Sequence, residues 1–168
     1  EKYGIYFHGG GYFAGSITSH KNLISQISND SNLIIYFFEY RLSPEYNFPS
    51  AHEDAKLAVD FINTLHPDHQ SIWIGESAGG GLATGLVVDK EYLEKPDNLI
   101  LLSPWLDLSD GFEDKKFFKN SDVTIIIEGM FEVGGFYAGD YGAKNPILSP
   151  VYALSLIHIS EPTRQFAI

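Results

Sequence analysis

The sequence contains no cysteine, and its basic residues number only 11 against 22 acidic ones. Without cysteine there is no disulfide framework, no thiolate nucleophile and no cysteine-bound metal. The formal net charge of −11 argues against nucleic acid as a partner, because a polyanion would be repelled. No apolar run is long enough to span a membrane. The 6 histidines lack metal-ligand spacing, so we expect neither a metal nor another cofactor.

The chain does contain enough apolar material for one packed domain, with 168 residues that are 44% hydrophobic and 14% aromatic. Apolar runs at residues 3–7, 33–38, 71–74 and 98–102 predict strands, with helical segments between them. This alternation favours an α/β fold, a mostly parallel sheet with helices on both faces and right-handed crossovers. Because continuous apolar strands are typical of parallel sheets, we expect these strands to be buried on both faces.

The helical segments have predicted inner faces. Residues 19–28 form a surface helix whose inner face consists of Leu23, Ile24 and Ile27. A capping box of Ser50 and Glu53 should begin the next helix. Its face toward the sheet consists of Ala51, Ala55, Ala58, Phe61, Ile62 and Leu65. Residues 115–120 read as a surface connection, and residues 123–141 as a broken helix.

A G-x-S-x-G pattern formed by Gly75, Ser77 and Gly79 lies between the strand at 71–74 and a segment of small residues. Such a turn is the nucleophile elbow, in which small flanking residues let strand and helix approach while the serine hydroxyl stays exposed. The helix N-terminus beside the serine stabilises negative charge. The alternative is a glycine-rich turn with a capping serine.

A second glycine cluster, at His8, Gly9, Gly10 and Gly11, directly follows the first strand. Consecutive glycines let backbone amides point at a ligand without obstruction by side chains. This pattern is typical of the oxyanion loop of lipases and esterases. The alternative is a flexible turn, which would need fewer glycines and no preceding histidine.

These motifs occur in an order that resembles the hormone-sensitive-lipase-like esterases and acetyl-hydrolases of the α/β-hydrolase fold. The resemblance rests on residues 8–11, 40–45 and 75–80, and residues 102–108 and 145–150 are also similar to that family. It extends over about residues 3–153.

The resemblance implies ester hydrolysis through a serine acyl-enzyme, with a small-molecule ester as substrate. Ser77 would attack the ester carbonyl, and the backbone amides of Gly10, Gly11 and Ala78 would hold the oxyanion. Supporting positions would be His8, Gly9, Gly75, Glu76 and Gly79. The resemblance also implies a buried charge cluster that holds the loop before the second predicted helix, formed by Arg41, Glu45 and Asp54.

The catalytic acid and base are expected to be missing. In this fold they follow the serine in the order acid, then histidine, and the resemblance places both beyond residue 150. The only later histidine is His158, and residues 154–168 resemble a translated sequencing-library adaptor instead of the family. We therefore expect residues 1–153 to be a partial α/β-hydrolase catalytic domain, truncated at both ends. Residues 154–168 should be a non-native tail, and the fragment should be inactive.

A non-catalytic, ligand-binding relative of the same fold is the alternative function. The aromatic residues near the glycines could line the substrate pocket or belong to the core: Tyr12, Phe13, Trp105 and Phe136. We expect a cytoplasmic location, because no signal peptide is visible, although the chain begins at Glu1 and its natural N-terminus is expected to be missing. The oligomeric state cannot be read from the sequence.

Overall fold

The fold comes from a computed structural model of the chain, and it is described for residues 1–109 and 127–153. The predicted surface connection at 115–120 and the predicted tail at 154–168 lie outside the described residues. The strands are β1 (Lys2–Phe7), β2 (Ile34–Phe37), β3 (Gln70–Glu76) and β4 (Asn98–Leu102). The helices are α1 (Ile17–Ser31), α2 (Ser50–Leu65), α3 (Ala78–Val88) and α4 (Ile127–Ala138). Short 3₁₀ turns follow at Gly139–Tyr141 and Pro150–Tyr152.

The four strands form one parallel sheet in the order β2-β1-β3-β4. This confirms the predicted α/β architecture and the strict alternation of strands and helices. Within the sheet, Phe7 pairs with Gly75, and Glu76 pairs with Leu102. The carboxyl ends of β1, β3 and β4 therefore meet at one edge of the sheet, where α/β proteins bind their ligands.

Side chains of the central strands alternate between two cores. Ile5 and Trp73 pack on the side of α2 and α3, whereas Tyr6 and Ile74 pack with Ile24 of α1 on the opposite face. The predicted burial on both faces therefore holds for β1 and β3. It is wrong for β2 and β4, which lie at the two edges of the described sheet and are largely half-exposed or exposed.

The inner face of α2 is narrower than predicted. Ala51, Ala55, Val59 and Ile62 are buried, but Phe61 is 64% exposed and Leu65 is also exposed. Leu23 of α1, predicted on an inner face, is exposed too.

The start of α2 also differs from the prediction. Pro49 is the N-cap residue and no side chain caps the helix, so the predicted box of Ser50 and Glu53 does not form. A capping box does form in α1, where Ser16 and Ser19 bond reciprocally. Ser16 and Ser19 also contact the side chain of His20.

Candidate active site

Ser77 lies between the last residue of β3 and the first residue of α3, with φ 51° and ψ −119°. A non-glycine residue seldom adopts positive φ, because its Cβ then crowds the backbone, and such strain persists only where the surroundings enforce it. Three backbone hydrogen bonds hold the turn. The Ser77 N–H donates to Leu102 O (3.0 Å), and its carbonyl accepts from Trp105 (2.8 Å) and Gly81 (3.2 Å). Ser77 thus occupies a strained strand–helix turn that is fixed to the end of β4.

The glycines flanking Ser77 have no room for a side chain. A Cβ on Gly75 would lie 2.6 Å from Gly80 Cα, and one on Gly79 would lie 2.1 Å from the Phe7 carbonyl oxygen. These contacts are backbone to backbone, so no side chain can move aside to relieve them. The close approach of β3 to α3, and of α3 to β1, therefore requires glycine at both positions.

The glycine loop after β1 lies beside Ser77, as the register of β1 and β3 dictates. A Cβ on Gly9 would lie 3.1 Å from Ser77 Cβ and 3.0 Å from Glu76 Oε1. Gly10 has φ 119° and its carbonyl accepts from the N–H groups of Phe13 and Ala14, both at 3.0 Å. Gly11 has φ 64°, and a Cβ there would meet nothing within 4 Å. The loop therefore favours glycine at Gly11 for backbone conformation and at Gly10 for both conformation and space, whereas a side chain at Gly9 would press on the side chains of Glu76 and Ser77.

His8 is buried under this loop. Its Nδ1 lies 2.7 Å from the Gly9 carbonyl oxygen. The ring stacks on Tyr40 at 4.1 Å between centroids, and the Tyr40 hydroxyl donates to the His8 carbonyl at 2.8 Å. Burial lowers the pKa of His8, and the hydrogen bond to Gly9 offsets part of that shift. A neutral imidazole that donates to Gly9 fits the structural role predicted for His8.

Glu76 carries the one carboxylate that adjoins Ser77 in sequence. Tyr6 donates its hydroxyl to Glu76 Oε2 at 3.1 Å, and His20 Nε2 lies 3.2 Å from the same oxygen. Burial raises the pKa of Tyr6, and the Glu76 charge raises it further. His20 and Tyr6 were not singled out from the sequence, because an isolated histidine on a surface helix carries no motif.

The charge cluster in the loop before α2 differs in part from the prediction. Arg41 Nε donates to both carboxylate oxygens of Asp54 (3.0 and 2.9 Å). Arg41 Nη2 forms a second ion pair, with Glu53 (3.0 Å). Glu45, the predicted member, is exposed. The cluster is not buried as predicted, since the Arg41 side chain is 39% exposed.

The aromatic residues near the glycines divide between the core and the surface. Tyr12 is buried and stacks on Tyr137 of α4 at 4.0 Å. Phe13 and Phe136 pair at 6.0 Å, and Phe136 is exposed. Trp105 is partly buried against the core. Tyr12 is therefore a core residue, and the Phe13–Phe136 pair is the more accessible one.

Among residues 1–109 and 127–153, no histidine forms a hydrogen bond with Ser77. Within these ranges, Ser77 is therefore not linked to a histidine and a carboxylate as a catalytic serine would be. One cavity of about 650 Å³ is lined mainly by α2, the residues that end and follow α3, and residues 145–147, and Ser77 does not line it. Over the same ranges, no cluster of three or more His, Cys, Asp or Glu residues could hold a metal ion. None of the described helices combines the length and the apolarity needed to cross a membrane.

A parallel sheet covered by alternating helices, with a serine on a strained strand–helix turn at its carboxyl edge, defines a protein of the α/β class. A family model described as alpha/beta hydrolase fold matches residues 4–163. The chain therefore belongs to the α/β-hydrolase fold family. The match continues past residue 153, and the predicted domain boundary there stays a prediction.

Known proteins similar to this chain are esterases. An esterase from Acinetobacter venetianus is 28% identical over 154 residues, which is 88% of this chain and 50% of that protein. The crystal structure of the esterase EstE5 is 33% identical with a TM-score of 0.83, covering 90% of this chain and 52% of that one. An esterase from the bacterial hormone-sensitive lipase family is 30% identical with a TM-score of 0.81, covering 91% and 52%. The resemblance to hormone-sensitive-lipase-like esterases is thereby confirmed, and the chain spans about half the length of these relatives.

Proposed function

We propose that this chain is the nucleophile-bearing part of a carboxylic ester hydrolase that acts on small-molecule esters, with Ser77 as nucleophile. The observation that carries the proposal is the strained backbone of Ser77 held directly against the glycine loop. Strain of this kind costs about 1–3 kcal/mol and persists at sites where it serves function. A capping serine in an ordinary turn would need neither the strain nor the adjoining run of glycines.

The proposed reaction has two steps. Ser77 Oγ forms a bond to the ester carbonyl carbon while its proton passes to a base, and the carbonyl electrons move to the oxygen. The N–H groups of Gly10, Gly11 and Ala78 stabilise that oxyanion, and one such donor is typically worth about 2.7–4 kcal/mol. The alcohol leaves with a proton, and water then hydrolyses the acyl-enzyme, releasing the acid and restoring Ser77. This chemistry uses only side chains and backbone amides.

The base and the carboxylate that orients it are proposed to come from outside the described residues, because Ser77 has no histidine partner within them. Because the resemblance places both groups beyond residue 150, we expect the 168-residue chain to hydrolyse esters far more slowly than a longer natural protein that contains residues 1–153 and both groups. A serine without its base keeps only the contribution of the oxyanion site and of substrate binding.

The decisive experiment is labelling of that longer protein with a fluorophosphonate, followed by peptide mapping. We expect the label on Ser77, with turnover of a short-chain aryl ester that Ser77→Ala abolishes. A suitable control is Ser25→Ala, because Ser25 is an exposed serine on α1. Absence of label on Ser77, together with tight binding of an ester analogue, would favour the non-catalytic alternative. Rapid turnover by the 168-residue chain itself would contradict the proposed external base.

A further inference from the structure

The carboxylate of Glu76 connects three separate parts of the fold beside Ser77. Oε2 receives the Tyr6 hydroxyl of β1 at 3.1 Å and lies 3.2 Å from His20 Nε2 of α1. Oε1 lies against the glycine loop, 3.0 Å from where a Cβ on Gly9 would stand. We name Tyr6, His20 and Glu76 the carboxylate brace. Displacing Glu76 would therefore disturb both the loop and the turn that carries Ser77.

His20 is the member of the brace whose orientation is fixed from outside the site. Its Nδ1 lies 2.8 Å from Ser19 Oγ and 3.3 Å from the Ser16 carbonyl oxygen, the two residues of the α1 capping box. The ring lies against Phe37 at 6.3 Å between centroids, and its side chain is only 15% exposed. The first turn of α1 therefore aims Nε2 at Glu76.

We propose that His20 is a positioning residue of the ester-hydrolysing site, acting through Glu76 on Gly9 and Ser77. This inference rests on the proposed function. Its first physical reason is geometric, since small displacements of catalytic groups cost large factors in rate. The second is electrostatic. The negative charge of Glu76, beside the nucleophile, disfavours the oxyanion that develops on the substrate. Hydrogen bonds from His20 and Tyr6 to Glu76 draw its charge toward Oε2 and reduce this repulsion.

Each element packed against His20 contributes a titratable group that faces it. These groups are Tyr6 of β1, Glu76 of β3 and His8 of the glycine loop, whose ring centroid lies 5.4 Å from that of His20. Glu39, after β2, accepts the N–H of Ile17 at the start of α1 and acts electrostatically on His8. Replacing His20 therefore leaves Tyr6 as the remaining hydrogen-bond partner of the Glu76 carboxylate among the described residues.

Two substitutions of His20 separate its two contacts. In His20→Gln the amide reaches the position of Nε2 and still donates to Glu76. In His20→Asn the amide reaches only the position of Nδ1 and the capping box. In the longer natural protein we expect His20→Asn to lower kcat about 10-fold or more with KM changed less than about 2-fold, as for an interaction that matters only in the transition state. His20→Gln should recover most of that loss.

A matched control is available in another histidine–carboxylate pair. His69 Nε2 lies 3.1 Å from Glu1, at the opposite end of β3. His69→Asn should leave kcat and KM unchanged. The inference is overturned if His20→Asn and His20→Gln have equal kcat values, or if both match the wild-type protein.

A second measurement keeps the inference separate from the proposed function. Backbone amide NMR signals of Gly9, Gly11 and Ser77 should shift in His20→Asn and stay near their wild-type positions in His20→Gln and His69→Asn. If the wild-type protein neither turns over esters nor takes a fluorophosphonate, the proposed function fails, and these shifts still decide whether His20 positions the loop. Unmoved signals in His20→Asn would refute the brace.

Discussion

At the scale of single residues, the glycines of this chain differ in how much room each one has. A Cβ added to Gly79 would point at the carbonyl of Phe7, whereas one added to Gly135, which is exposed on α4, would meet open space. The G-x-S-x-G spacing predicted that Gly79 must be small, but only the pairing of β1 with β3 shows which atom excludes a methyl group there. That atom comes from a segment about seventy positions earlier in the chain, so no local pattern reveals it.

Replacing these two glycines by alanine should therefore have opposite effects on stability. Gly79→Ala should lower the free energy of unfolding by about 3 kcal/mol, because backbone must move to admit the methyl group. Gly135→Ala should raise it by roughly 0.5–1 kcal/mol through helix propensity. Urea denaturation monitored by circular dichroism measures both. Equal losses in the two variants would show that α3 can move away from β1.

His52 of α2 should make stability depend on pH. Burial lowers its pKa to about 3, with a smaller lowering by Lys56, from an ordinary 6.5. The unfolded chain therefore binds more protons than the folded one between these values, so the contribution is complete above pH 6.5 and is lost as the pH falls toward 3. The full loss is on the order of 5 kcal/mol. The free energy of unfolding, measured by urea denaturation at several pH values, should fall less steeply with decreasing pH in His52→Leu than in the wild type. An equal pH dependence in both proteins would contradict the burial of a neutral His52.

At the scale of elements, α2 shows where helical spacing is ambiguous. Two apolar stripes run along it, one through Ala55, Val59 and Ile62 and the other through Leu57, Phe61 and Leu65. The inner face predicted from the sequence merged parts of both stripes, because adjacent positions of a helix lie only about 100° apart. Only the first stripe is buried, in the core that also contains Ile5 of β1 and Trp73 of β3. Helix existence was therefore predictable from the sequence, whereas helix rotation needed the sheet.

Two neighbouring residues of α2 test this rotation. Ile62 is 5% exposed and Phe61 is 64% exposed. Ile62→Ala should cost about 2–4 kcal/mol of unfolding free energy through lost burial and a cavity. Phe61→Ala should cost less than about 1 kcal/mol, although it removes the larger side chain. If the larger loss is found for Phe61, the helix presents the other stripe to the sheet.

At the scale of the whole molecule, the order of the elements and the two motifs were predictable, because each is written in a short stretch of sequence. The sheet order was not, and it is the order β2-β1-β3-β4 that places the glycine loop beside Ser77. The carboxylate brace of Tyr6, His20 and Glu76 could not be predicted from the sequence either, since its members come from β1, α1 and β3. The predicted burial of β2 and β4 was wrong for the same reason. Their apolar runs resemble those of central strands, and only the sheet order shows that each has a single neighbouring strand in the described sheet.

Those edges should govern the behaviour of the isolated 168-residue chain in solution. Within the described sheet, β4 has an unpaired side and carries Ile100, which is 46% exposed. An open apolar edge is a template for pairing with another chain, and an added charge blunts it. Ile100→Lys should therefore reduce concentration-dependent association in light scattering, whereas Leu57→Lys, equally apolar to charged but on the outer stripe of α2, should not. If both variants associate like wild type, the strand edge is not the surface through which the chains meet.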